Sequence, residues 1–406
     1  MWASILPNRK TTTTPTTVRT KNFPERPFSW RIALHRWEGL QGRQTISSMD
    51  QLSLTSPDTW IPRTTRIGSK GPHSAALRVL HVIPGEADGM TMPFAKREAQ
   101  QLERAGVVPH LFFLRSRTSP IGLASEWRRL RREIREFRPD LVHAQFGTVT
   151  AFTAVFGSTV PVVVTFRGTD LNRDPGVTRV RYLVSRLLSQ IAALGAARMV
   201  CQSRQLRSRL WWRRSRVTVL AGSIDLERFH SMPQEKARDA LGWKNNERVV
   251  LFNAGTLVRK VKRLDLAKSA VAEAQKIVEG VRLVILDGSV SPDEVPIYMN
   301  ASDCLLVTSD SEGSPTIVRE AMACNLPIVS VDVGDVAERL RDVTESEITS
   351  RDPRELGAAV AKFLVARTRS NGRWRAREFS VNRFNQELVS VYERALAAQG
   401  RPRQKS

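Results

Sequence analysis

CLLVTS (304–309) runs into SEGSPTIVREAMACNLPIVSVDVGD (311–335), and this stretch decides the fold. Its first segment is an apolar run of strand length. A loop containing Glu312 follows, then a helical pattern over TIVREAMAC (316–324), then a second apolar run, LPIVSVD (326–332). Two apolar strands joined through a helix make a βαβ unit and therefore a parallel sheet. Glu312 on the loop and Glu320 on the helix form an E-x7-E pair. The helix start leaves the N–H groups of Thr316, Ile317 and Val318 without intrahelical partners and presents the positive end of the helix dipole. That geometry binds phosphate. Glu320, one turn further in, can accept hydrogen bonds from a ribose diol, and Glu312 can face a sugar.

The same rhythm extends outward in both directions. Upstream, VVLFNAG (249–255), VRLVILDG (281–288) and CLLVTS read as strands, with amphipathic helix over 264–278 and a short helix over 295–303. Residues 258–264 read VRKVKRL directly after a strand, and basic residues there suit a diphosphate that needs neutralising. Arg259, Lys260, Lys262 and Arg263 cannot all point into one site. Further upstream an equivalent series begins at LRVLHVI (77–83), which ends in a glycine loop, PGEADGM. It continues through VPHLFFL (108–114), the basic helix EWRRLRREIREF (126–137), LVHA (141–144), VPVVVTF (160–166), a helix around 182–194, RMVCQ (198–202) and VTVLA (217–221). The expected architecture is α/β, with two Rossmann-like parallel-sheet domains facing a central cleft. The expected bounds are 77–221 and 222–382, with a terminal helix and tail over 383–406. Ligands in such sheets bind beyond the carboxyl ends of the strands, so the cleft is the expected site.

Length and charge fit this division. The chain has 406 residues and a net charge of +23, too long for one core. Residues 1–221 hold 35 Lys/Arg against 14 Asp/Glu, whereas 222–400 hold 25 against 26. The basic half calls for an anionic partner. Within it, 127–138 carries six Arg, and 198–216 carries seven Arg with Trp211 and Trp212. Arg with Trp suits an anionic membrane interface. Residues 1–76, with 11 basic and 4 acidic residues and a TTTTPTT tract, read as a disordered basic extension or as sequence upstream of a start at Met49. Cys201, Cys304 and Cys324 show no paired spacing, which excludes a disulfide framework or zinc motif and suits a reducing compartment. No apolar run reaches the roughly 20 residues of a membrane span, and no secretory h-region is visible.

Taken together, these segments resemble the retaining glycosyltransferases of family 4, which have the GT-B fold, over about 77–396. DLVHAQFG (140–147), VTFRGTDLN (164–172), VTVLAGSIDLERF (217–229), ARDALGW (237–243) and, above all, DSEGSPTIVREAMACNLPIVSVDVGDVAE (310–338) carry the resemblance, which is strongest to enzymes of polysaccharide and envelope glycans. It implies transfer of a sugar from a UDP- or GDP-sugar to a glycan or lipid-linked acceptor, without metal or other cofactor. Glu320 would hold the ribose. Lys262, with Arg259 and the amides at 316–318, would neutralise the diphosphate, and Glu312 would contact the donor sugar. Gly89 in the first glycine loop would approach the distal phosphate. His143, Arg167 and Asp170 would lie on the acceptor side. The chain departs from the family at Thr256, where an Arg is usual, at Arg167, where a His is usual, and at Asp88-Gly89 in place of Gly-Gly. An Arg at 167 would favour an anionic sugar or a phosphate-bearing acceptor. His81 and His110 read as structural.

Two other classes compete. A GT-B epimerase would share the fold, which does not by itself fix the chemistry. A nucleic-acid-binding protein would use the Arg and Trp runs, but no recognition motif accompanies them. The expected location is cytoplasmic, peripheral at the inner face of the membrane.

Overall fold

The computed structural model describes residues 76–398, except 88–91, 117–118, 175 and 256–259. The basic extension expected over 1–76 thus lies, apart from Ala76, outside the described residues.

The first domain alternates strand and helix: β1 (Leu77–Pro84), α1 (Pro93–Gln101), β2 (Val107–Leu114), α2 (Pro120–Phe137), β3 (Leu141–Ala144), α3 (Thr148–Gly157), β4 (Val162–Phe166), α4 (Arg179–Gly195), β5 (Arg198–Cys201), α5 (Arg204–Ser208) and β6 (Val217–Val219). The strands form one sheet in the order β2-β1-β3-β4-β5-β6, and every pairing is parallel. Strands covered on both faces read as unbroken apolar runs, and β3 and β4 are buried throughout. The sequence reading passes from LVHA straight to VPVVVTF, whereas the structure inserts α3. Its sequence, TVTAFTAVFG, is rich in β-branched residues, which are weak helix formers. Burial of Thr150, Ala151, Thr153, Ala154 and Gly157 outweighs that propensity.

The second domain follows with α6 (Gln234–Leu241), β7 (Arg248–Asn253), α7 (Leu264–Gln275), β8 (Val281–Leu286), α8 (Val295–Ala301), β9 (Cys304–Val307), α9 (Thr316–Ala323), β10 (Ile328–Val331), α10 (Val336–Arg339), β11 (Ser346–Thr349), α11 (Pro353–Ala366) and α12 (Arg373–Ala376), and α13 (Val381–Ala397) closes the described chain against the first domain. Its sheet has the order β11-β10-β9-β7-β8, again wholly parallel. The short elements α10, α12 and β11 were not legible as periodic runs. A buried ion pair pins α6 to the head of β9: Arg238 meets Asp303 at 3.0 Å with both side chains 1% exposed. Asp303 also accepts the Val249 N–H at 2.7 Å.

Each sheet reverses its winding once, between β1 and β3 and between β7 and β9. Loops at such a reversal part and leave a crevice. The chain passes between domains twice, and the passages lie side by side. The Ile224 N–H donates to the Phe379 carbonyl at 2.8 Å, and Ile224 bridges Ser380 in parallel. Arg373 braces the first passage through the carbonyls of Leu226 and Phe229. The second passage delivers α13 onto the first sheet, where Phe384, Leu388, Val391 and Tyr392 pack with Leu77, Val79, Leu141 and Val163.

Candidate active site

The carboxyl-end loops of the two sheets enclose a cleft of about 610 Å³, within the size range of small-molecule sites. From the first domain come Met92, Phe94, Arg97, Glu98, Phe146 and Arg167–Thr169. From the second come Asn253, Lys262 and residues 311–320, apart from the buried Val318. The inter-domain passage adds Gly222–Asp225 and Arg228.

The two loops at the β7/β9 reversal set the chemistry. After β7 the chain makes a tight turn at Lys260–Lys262. Lys262 Nζ donates to Glu312 Oε1 at 2.6 Å, and Ser309 Oγ donates to the same oxygen at 2.9 Å. Thr308 Oγ1 holds the Lys262 carbonyl at 2.9 Å, and the Asp310 N–H holds that of Val261 at 2.8 Å. The lysine and the glutamate loop are therefore fixed to each other by backbone as well as by charge. Of the four basic residues in the loop, Lys262 points into the cleft. Arg263, in a left-handed conformation, turns outward to Asp265 and Asp310 at 2.8 and 3.2 Å. Arg259 and Thr256 lie outside the described residues, as does Gly89 of the first glycine loop.

α9 starts at Thr316 behind Pro315, and no side chain caps it. Thr316 and Ile317 line the cleft. Val318 does not. Its N–H donates to the Pro315 carbonyl at 3.3 Å and its side chain is buried, so the first turn closes on itself and withdraws one of the three expected amides. Glu320 reaches the cleft floor. Burial raises its pKa above the ordinary carboxyl value, against the pull of Arg319, Arg97, Arg228 and Lys262.

The first-domain candidates separate. Arg167 lines the cleft, but its charge is already met. It pairs with Glu98 at 3.0 Å, donates to the Gln145 carbonyl at 2.8 Å and to the Gln145 side chain, and lies against the Phe94 ring. The expected preference for an anionic ligand is weakened by that pairing. Asp170 does not reach the cleft. Its carboxylate accepts the N–H groups of Gly147, Arg167 and Gly168 at 2.8–3.2 Å, so it shapes the loop that presents Arg167. Burial nonetheless raises its pKa. His143 is also withdrawn. It is fully buried and bonded to Tyr392 Oη at 2.8 Å and Thr165 Oγ1 at 2.7 Å, because α13 covers the side of β3 on which it projects. His81 is core, and His110 sits on β2, paired with Glu133.

Sequence reasoning missed Arg319. It is fully buried beside Glu320 and donates to Ser314 and Thr316. Its Nε finds no hydrogen-bond partner among the described residues, and burial lowers its pKa to about 10. A Cβ at Gly222 would lie 3.2 Å from its guanidinium, which fits a glycine there. The signal, an arginine preceding the second glutamate, is visible in the sequence but indistinguishable there from a solvated helix face.

Comparison with known proteins follows the same division. The Glycosyltransferase Family 4 model matches residues 82–228, and the Glycosyl transferases group 1 model matches 247–365. A putative teichuronic acid biosynthesis glycosyltransferase, TuaC of Bacillus subtilis, is 26% identical over 252 residues, 56% of this chain and 62% of that protein. The chain thus matches less than two thirds of that relative's length. Sucrose-phosphate synthase from Thermosynechococcus elongatus superposes with a TM-score of 0.65 at 15% identity, covering 79% of this chain and 100% of that one. Anabaena Alr3699/HepE in complex with UDP-glucose superposes with a TM-score of 0.61 at 15% identity, covering 78% of this chain and 99% of that one. Together the two family models take in more than half of the sequence, and the chain belongs to the family 4, group 1 glycosyltransferases of the GT-B fold.

Proposed function

We propose that the protein transfers a sugar from a nucleoside-diphosphate sugar to a glycan or lipid-linked acceptor, with retention at the anomeric carbon, in polysaccharide synthesis. The convergence of Lys262, Glu312, Glu320 and the start of α9 on one cleft carries this reading. Glu320, at the cleft floor, accepts the ribose hydroxyls. The first turn of α9 faces the diphosphate. As the bond from the anomeric carbon to the diphosphate oxygen breaks, negative charge collects on the leaving group, and Lys262 is the cation positioned to meet it. Lys262 must exchange its contact with Glu312 for the phosphate, which frees Glu312 to bind hydroxyls of the donor sugar. Binding of UDP-glucose by the structurally similar HepE supports a uridine donor, and the name of TuaC supports an envelope polymer as product.

Radiolabelled sugar transfer, with product stereochemistry read by NMR, tests the reading. Glu320→Ala is expected to raise donor KM by about 10–100-fold, the worth of charge-assisted hydrogen bonds. Lys262→Ala is expected to lower kcat by about 100–1000-fold, because its interaction strengthens in the transition state. An unchanged donor KM in the first variant together with an unchanged kcat in the second overturns the site. Since protein cations are proposed to meet the leaving group, EDTA should leave the rate unaltered, and a rate restored only by added Mn²⁺ overturns that part. Epimerised nucleotide-sugar formed without an acceptor would assign the epimerase reading instead.

A further inference from the structure

α4 is built inside out. A helix packed on a sheet normally buries its largest apolar side chains and shows polar ones. The face that α4 buries carries Ser189, Gln190, Ala192 and Ala193. Its exposed face carries Val180, Leu183, Val184 and Leu187, which are 72%, 60%, 52% and 49% exposed. Their spacing of three and four residues makes one continuous apolar stripe along two turns.

A second apolar feature is tied to the same surface. Gln190 of α4 binds the loop that follows α5: its Oε1 accepts the Trp211 N–H at 3.0 Å, and its carbonyl accepts Trp212 Nε1 at 2.9 Å. Trp211 is 48% exposed, and the Arg186 guanidinium lies 5.5 Å from its ring centroid. Residues 179–216 contain ten arginines and no acidic residue. Arg179, Arg181, Arg207, Arg213 and Arg214 among them are exposed. The result is an apolar ridge with interfacial Trp, surrounded by cations of one sign.

We infer that the exposed face of α4, with the Trp211–Trp212 loop, is a docking surface for an anionic lipid bilayer. Val and Leu enter the acyl boundary, Trp sits at headgroup depth, and the guanidinium groups meet lipid phosphate. Charge decides against two other occupants. Residues 1–75, with 11 basic and 4 acidic residues, carry the same sign as the face. A second copy docking face to face would set the exposed Arg179, Arg181, Arg207, Arg213 and Arg214 of one copy against those of the other. The basic run on α2 is a poorer candidate. Its Trp127 donates to the Thr153 carbonyl at 3.2 Å, and Arg129 is paired with Glu126.

The surface also connects to the cleft. On the buried side of α4, Ser189 Oγ donates to the Asp170 carbonyl at 2.9 Å and accepts the Thr148 N–H at 2.8 Å. Asp170 in turn holds the loop that presents Arg167 to the cleft. Docking through α4 would therefore bring an acceptor anchored in the same membrane to the first-domain side of the site. This last step rests on the proposed function, whereas the docking itself does not.

Flotation of the full chain with vesicles tests the surface independently of activity. Binding is expected to equal mixtures of phosphatidylcholine and phosphatidylglycerol, not to phosphatidylcholine alone, and should fall at about 1 M salt, where the Debye length is about 3 Å. The double variant Leu183→Glu/Leu187→Glu should lose about tenfold or more of the bound fraction with its melting temperature kept. Independently of that variant, brominated lipid should quench wild-type fluorescence, and Trp211→Phe should reduce that quenching. Failure of the wild type to bind anionic vesicles, or full binding by the double variant, overturns the inference. A dimer that the double variant splits, without vesicle binding, assigns the face to a second copy. Retention on RNA in preference to vesicles assigns it to nucleic acid.

Discussion

Gly313 is where the two sides of the cleft touch. A Cβ there would lie 2.0 Å from the Arg167 carbonyl oxygen, and the facing Gly168, at φ +152°, would place its own Cβ 3.2 Å from the Gly313 nitrogen. Asn172 Nδ2 also donates to the Glu312 carbonyl at 3.1 Å. The two loops approach backbone to backbone, which only glycine permits. Gly313→Ala must therefore push the Glu312 loop off the Arg167 loop. A shift of about 1 Å at a reacting group costs on the order of 100-fold in rate. The expected result is a fall of that size in kcat with donor binding much less affected, measured by steady-state kinetics and donor titration. Equal activity in the alanine variant would show that this closed contact is not needed for turnover.

Among the elements, α6 and α13 carry buried polar contacts whose loss can be measured. Arg238→Met removes the 3.0 Å cation from the buried Asp303 and leaves it the Val249 N–H, the Gln234 amide and Arg367 at 4.0 Å. Breaking such a pair from one side costs about 3–5 kcal/mol, so the denaturant midpoint should fall sharply. Restoring polarity balance with Arg238→Met/Asp303→Asn should recover part of the loss. For α13, sequence periodicity gave a terminal helix but not its partner. Only the fold shows Tyr392 capping His143 of the first sheet, because residues 249 positions apart meet only once both domains have formed. The same limit applies to α4, whose helical pattern was legible but whose outward face depended on what packs behind it. It also explains His143 and Asp170. Both lie on the loop-bearing ends of strands, as active-site residues do, yet one is covered by α13 and the other is spent on three backbone N–H groups.

On the scale of the whole molecule, pH reports how the first domain is buried. His81 is fully buried, with Gln145 at 2.9 Å and the His143 ring 5.3 Å away. Burial, with the Arg167 charge second, lowers its pKa from 6.5 to about 3. His143 is lowered as well, again by burial first. Between about 3 and 6.5 the unfolded chain therefore binds protons that the folded chain refuses. The stability from neutral His81 is complete above about 6.5 and declines as pH falls, by at most about 1.4 kcal/mol per pH unit per histidine. Glu320 and Asp170, whose pKa values burial raises, have the opposite sign: their protonated forms favour the folded state at low pH. The difference between wild type and His81→Asn isolates the histidine. Melting temperatures from pH 7 to 5 should fall more steeply in the wild type, and parallel curves would show that His81 is not the group refusing protons.

The sequence by itself determined the alternation of strand and helix, the two parallel sheets, the E-x7-E loop and the lysine after β7. Each of these is written locally, in runs of apolar residues, a helix start or a short spacing. Tertiary structure decided which candidates share one space. Lys262 and Glu312 are 50 residues apart yet form a 2.6 Å pair, because the reversal between β7 and β9 places their loops side by side. The buried Arg319, the covered His143 and the outward apolar stripe of α4 were likewise fixed only by packing. Burial belongs to the assembled surface, and the local pattern of a chain does not carry it.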